Sequence, residues 1–155
     1  MSTVMTSQER PTELQATVRK PEEGERHNVL GDLQRFILTG AETGGALCLV
    51  EQQNEAGTGI PLHYHTREEE TFHVVEGVVA FTVGDETILA TAGTTVHVPR
   101  GIRHSFEVRE RARVLLTLVP AGMEEMFREL GRLTPGPESM PQALAICERY
   151  GIFFG

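Results

Sequence analysis

Residues 57 to 77 read GTGIPLHYHTREEETFHVVEG, and the fold and the chemistry both turn on this run. Pro61 and the β-leaning residues around it favour an extended chain. In a strand, alternate side chains share a face, so His63 and His65 point the same way while Tyr64 points away. Their Cα atoms then lie about 6.6 Å apart, close enough for both imidazoles to lean onto one ion. A helix would splay the same pair by more than half a turn. An H-x-H pair is generic by itself; its weight comes from downstream. Residues 93 to 104, GTTVHVPRGIRH, form a second strand-then-turn run in which Pro99 and Gly101 bend the chain and let His104 face inward. Three neutral imidazoles with the carboxylate of Glu70 suit a divalent first-row metal, whereas magnesium and calcium prefer oxygen ligands.

The chain of 155 residues makes one domain, long enough to bury a core without disulfide staples. Its net charge of −8 argues against nucleic acid and anionic membrane as partners, since both need basic surface. Cys48 and Cys147 sit in an apolar strand pattern and a helical pattern, and read as buried free thiols. No apolar leader opens the sequence and nothing approaches the length of a membrane span, so a cytoplasmic protein is expected. Residues 1–26 are polar, contain Pro11 and Pro21, and read as a flexible arm ending near a surface histidine, His27.

Short β-patterned runs then follow at 32–39, 46–52, 60–65, 71–75, 78–83, 86–90, 95–98, 104–108 and 114–119, with glycines marking the turns. Many short strands at regular spacing predict an all-β sandwich or barrel over 27–120. After Pro120 the period changes. Met123, Met126, Phe127 and Leu130 recur at helical spacing, and a proline-rich link leads to a second helical stretch at 142–150. These C-terminal helices, within 121–155, cover either the open end of the barrel or its outer wall, and the methionine stripe serves core packing or a lid.

Gly57, His63-Tyr64-His65, Glu70 and Gly77 stand at the spacing of the first cupin motif, and Gly93, Pro99, Gly101 and His104 at that of the second. Residues 57–108 thus resemble the cupin superfamily. The one departure is Val108, where an asparagine is usual. The resemblance implies a single double-stranded β-helix (jelly-roll) barrel, with His63, His65, Glu70 and His104 as ligands of a divalent transition metal: iron, manganese, nickel, cobalt, copper or zinc. It also implies that the arm adds a strand to a neighbouring subunit, giving a homodimer.

Other residues near the motifs take lesser roles. Of the three consecutive glutamates, Glu68 falls in a loop and Glu69 on the outer face, so both read as solvated. Glu70 shares its face with Phe72 and Val74, and an inward carboxylate calls for a cation beside it. His73 reads as structural; His97 is open to either side of the sheet, with orienting a ligand as its role if it faces inward, while Phe72, Phe81 and Phe106 supply pocket wall. Arg67, Arg100 and Arg103 read as solvated loop residues. A shell with open positions invites a small-molecule substrate. Likeness to the quercetinase branch points to a dioxygenase acting on a small aromatic, enol or diketone compound, with Glu70 as ligand and proton acceptor. An oxygen-independent isomerase, epimerase or decarboxylase, or a non-catalytic binding module, stands beside it.

Overall fold

A computed structural model describes residues 13–155. Its strands are β1 (Arg26–Val29), β2 (Asp32–Leu38), β3 (Cys48–Asn54), β4 (Gly59–His65), β5 (Glu69–Val83), β6 (Glu86–Ala90), β7 (Thr95–Val98), β8 (His104–Val119) and β9 (Ile152–Phe154). A short helix α1 (Gly40–Thr43) follows β2, and α2 (Met123–Gly131) and α3 (Met140–Arg149) follow β8. All strand pairings are antiparallel.

Two long strands organise the barrel. β5 and β8 pair along their length, from Glu69 opposite Val119 to Val83 opposite His104. At one end they carry β7 on one side and β3, β2 and β1 on the other; at the opposite end they carry β6 and, beyond β8, β4 and β9. The same two strands therefore serve both walls, and the curled sheet forms a cup. Alternation puts Val50, Phe72, Val74, Phe81, Val114, Leu116 and Leu118 inside. The rings of Phe72, Phe81 and Phe106 pack with centroids 5.1–6.2 Å apart.

The long strands correct the sequence reading, which broke each into two short ones at 71–75 and 78–83, and at 104–108 and 114–119. Gly77 does not end a strand. It sits at φ +86° among register shifts between Val74 and Val79, where the chain bulges and turns from one wall to the other. A Cβ there would stand 2.1 Å from the Arg111 carbonyl oxygen, so glycine permits the close approach of β8.

The C-terminal helices cover the open end. α2 buries Met123, Met126, Phe127 and Leu130, and α3 buries Ala143 and Cys147. The chain then returns as β9, a strand with too few residues to announce itself, and pairs Ile152 with His65 and Phe154 with His63. β1 was also unmarked; it forms because Leu30 and Gly31, both at positive φ, close a two-residue hairpin onto β2.

Of the expected arm, residues 1–12 and with them any strand they add to a neighbour lie outside the described residues. Residues 13–25 carry no helix or strand, but they are tied to the barrel. Arg19 donates to the Ile37 carbonyl at 3.0 Å, Arg35 donates to the Glu23 carbonyl at 3.1 Å, and the Phe36 N–H donates to Glu25 O at 2.8 Å. This stretch covers the buried Arg35–Glu51 ion pair. Both cysteines are buried and free, and burial pushes the Cys147 thiol up to about 11. No described helix is long and apolar enough to cross a membrane.

Candidate metal centre

Three strands deliver four side chains to one point. β4 carries His63 and His65 on its inner face, β5 carries Glu70 next to its start, and β8 opens with His104, directly opposite His63. One ligand atom from each lies within 4.8 Å of the others, and all four residues are buried. The imidazole centroids are 4.3 Å (His63–His104), 5.0 Å (His63–His65) and 5.4 Å (His65–His104) apart.

The outer nitrogens set the tautomers. His63 Nδ1–H donates to the Pro61 carbonyl at 2.9 Å and His104 Nδ1–H to the Ile102 carbonyl at 3.0 Å, in each case two residues back along the chain. His65 Nδ1 faces Glu68 Oε2 at 3.7 Å. His63 and His104 are thereby held by a carbonyl oxygen on the Nδ1 side, the arrangement that orients metal-binding histidines, while His65 has a carboxylate nearby without a hydrogen bond to it. On the inner side, His65 Nε2 contacts Glu70 Oε1 and His104 Nε2 stands 3.6 Å from it. None of these three inner atoms has a well-formed hydrogen bond among the described residues. A buried polar atom left so costs about 1–3 kcal/mol. The three atoms lie in one cluster with His63, and a divalent cation there would satisfy them together once His65 has given up its proton. Three nitrogens and one oxygen fit a first-row transition metal.

Burial and the two carboxylates set the charges of the cluster in opposite directions. Burial disfavours the charged form of His65, but Glu70 and Glu68 outweigh it and raise its pKa to about 9. Burial and the neighbouring His104 push His63 down to about 4. Burial would raise Glu70, yet His65 and His104 hold its carboxyl well below the usual range.

A cavity of about 70 Å³ opens onto the cluster. Phe72, Phe106, Leu116 and Ile60 line it from the barrel, and Met126, Phe127 and Leu130 from α2. The methionine-bearing stripe is thus core and cavity roof at once. Phe81 is not part of the lining; it packs behind Phe72.

Several expectations are corrected. Glu68 is buried beside His65, not solvated, because the chain turns inward between β4 and β5. His97 orients no ligand: it lies on the outer face, hydrogen-bonded to the Thr71 hydroxyl at 3.0 Å. His27 is partly buried, its ring 4.9 Å from that of Phe36. His73 is exposed and bonds Thr95, and Arg67, Arg100 and Arg103 remain outside the cavity, Arg103 over the Tyr64 ring.

One group was missed. Asp32 and Gln34 on β2 and Gln52 and Asn54 on β3 all face inward and are buried. Asp32 Oδ2 accepts from Gln34 Nε2 at 2.9 Å and from Gln52 Nε2 at 2.7 Å, and Oδ1 accepts from Asn54 Nδ2 at 2.7 Å. Burial raises the pKa of the Asp32 carboxyl against these three donors. Asp32, Gln34 and Gln52 line the cavity together with His63, His65 and Glu70. The signal was there in the alternation: polar residues occupy the inward positions of D-x-Q-x-F and V-x-Q-x-N.

A curled antiparallel β-cup with three imidazoles and one carboxylate at its centre defines a small barrel protein whose site could hold a divalent metal. Comparison with known proteins narrows the class. A family profile described as a cupin domain matches residues 50–120. Quercetin 2,3-dioxygenase of Bacillus subtilis is 30% identical over 110 residues, which is 70% of this chain and 33% of that protein. The chain thus spans about a third of this relative's length. Among solved structures, KdgF from a Halomonas species superposes with a TM-score of 0.64 at 17% identity, over 70% of this chain and 99% of that one. An RmlC-like cupin from Shewanella frigidimarina does so with a TM-score of 0.62 at 20% identity, over 72% and 96%. The chain belongs to the cupin superfamily.

Proposed function

We propose that this protein is a metal-dependent dioxygenase acting on a small enol, diketone or one-ring aromatic substrate. His63, His65, Glu70 and His104 are the metal ligands in this reading. What carries it is the clustering of three imidazoles and Glu70 beside a largely apolar cavity, with the Nδ1 of His63 and of His104 held from outside. Similarity to a quercetin dioxygenase supports the oxygen chemistry. The cavity, at about 70 Å³, is well below the roughly 300–1,000 Å³ of pockets for drug-sized ligands, which favours a compound smaller than a three-ring flavonol.

When bound, the metal would polarise a chelated enol oxygen and so make the adjoining carbon more reactive toward dioxygen. Glu70, held ionised by its histidine neighbours, takes the enol proton. Phe72, Phe106 and Leu116 keep water off the reacting carbon. Protein reconstituted with iron, manganese, nickel, cobalt, copper or zinc in turn should consume oxygen with at least one member of a panel of small diketones and hydroxylated aromatics. Glu70→Gln should slow that uptake by about a hundredfold or more. No uptake with any metal across the panel would reject the oxygenase reading.

A second buried carboxyl in the cavity, Asp32, favours an alternative. With acid–base groups on two walls, the same centre could run an oxygen-independent isomerisation or decarboxylation of a small organic acid or sugar. Turnover that persists under anaerobic conditions selects this class. Two copies of the chain are proposed to associate, and light scattering of the purified protein reads that directly.

A further inference from the structure

We propose that Gln34, oriented by Asp32, is the specificity-determining contact of the cavity. It accepts a hydrogen bond from a hydroxyl of the substrate, away from the oxygens that meet the metal. The inference rests on the metal reading for where those chelating oxygens sit.

The geometry leads there in three steps. Asp32 takes the Nε2 groups of both Gln34 and Gln52 on one oxygen, Oδ2, and that of Asn54 on the other. Its two oxygens accept all three contacts, which sets the end of each amide that turns toward it. The carbonyl end of Gln34 is thereby turned away from Asp32. Gln34 is 4% exposed and lines the cavity, and its Oε1 has no hydrogen-bond partner among the described residues. A buried acceptor so held is a site for a donor.

The rest of the cavity says what bears that donor. Beside the amides and the candidate metal ligands, Phe72, Phe106 and Leu116 give the cavity an apolar wall. A fitting substrate therefore has a chelating enol or diketone at one end, a short carbon body, and a hydroxyl at the other. Asp32 acts through Gln34 and is a positioning residue.

Matched probes test this: acetylacetone and its homologues lengthened by one and two carbons at one end, each with and without a terminal hydroxyl. Affinities are measured by calorimetry on zinc-loaded protein, and the side-chain amide signals of Gln34 are followed by NMR on zinc-loaded and metal-free protein. At one chain length the hydroxylated probe should bind about tenfold or more tighter than its twin and shift the Gln34 signal. Gln34→Leu should erase that preference, read as the ratio of the two affinities, with zinc stoichiometry retained; Gln34→Met serves if the leucine variant does not fold. Asp32→Asn gives Gln34 a donor to bond and turns its NH₂ outward, so the preference for the hydroxylated probe should disappear or invert, which a merely structural loss would not produce. No preference at any chain length, or a preference retained in Gln34→Leu, overturns the proposal. If zinc fails to bind, the metal reading falls separately. The metal-free Gln34 signal then decides: a shift with the hydroxylated probe alone supports the subsite, and no shift refutes it.

Discussion

Glu68 shows how one side chain can shape the metal-free site. Its carboxylate faces His65 Nδ1 at 3.7 Å while Glu70 contacts the other nitrogen, and together they hold the His65 pKa at about 9. The sign follows directly. A raised histidine pKa favours the fold fully below pH 6.5, and that contribution fades as pH rises through 9. His63 runs the other way: with its pKa pushed down to about 4, its contribution is present above pH 6.5 and lost as pH falls toward 4. A metal must displace the His65 proton. Binding at pH 7 should therefore release about one proton, and apparent affinity should rise about tenfold per pH unit up to about pH 9. Calorimetry in buffers of different ionisation enthalpy measures both, and proton release near zero would contradict the assignment. In Glu68→Gln the rise should level off at lower pH, and metal affinity above pH 9 should fall about 10–100-fold. The four clustered residues were legible in the sequence because H-x-H fixes a face and the motif spacing picks one glutamate of three. Glu68 was not, since a charge run reads as solvated unless the inward turn of its loop is known.

At the scale of elements, the hinge of the cup is the bulge at Gly77. A methyl group there meets the Arg111 carbonyl oxygen at 2.1 Å and Ala112 Cα at 2.6 Å, in a backbone region L-residues rarely occupy. Gly77→Ala should cost about 3 kcal/mol or more, read as a fall in the urea midpoint. A change under about 0.5 kcal/mol would mean that β8 does not press on this position. The strands themselves were legible through their alternation, and α2 through its stripe, because burial imposes a period on each. Continuity was not. A bulge inside β5 looks in sequence like a turn between two strands, since both need glycine. β9, with three residues, exists only because the edge of β4 offers it partners. The inward polar residues of β2 and β3 keep the alternation but put amides and a carboxyl on the buried side, which ordinarily is the apolar one.

Across the whole molecule, the four candidate ligands tie together strands that are otherwise joined by loops and ladders. β4 sits beyond the N-terminal half of β8, in the wall that also holds β9, whereas Glu70 belongs to the end of β5 that pairs β7. A cation held by all four residues would clamp the two walls at the cup's base. Ligand present at about a hundred times its dissociation constant stabilises the native state by about 2.7 kcal/mol. For a chain of 155 residues, each kcal/mol moves the melting midpoint by roughly 2–4 °C. Saturating metal should therefore raise the midpoint of chelator-stripped protein by about 5–11 °C, measured by scanning calorimetry. Because the clamp needs both β4 imidazoles, the double variant His63→Ala, His65→Ala should lose nearly all of that rise. It should also remain folded, less stable by the lost pairing of His65 with Glu70 and Glu68, because the phenylalanine cluster and the roof of α2 are left untouched. A metal-induced rise equal in the variant and the wild type would place the cation elsewhere, and the four-residue assignment would fail with it.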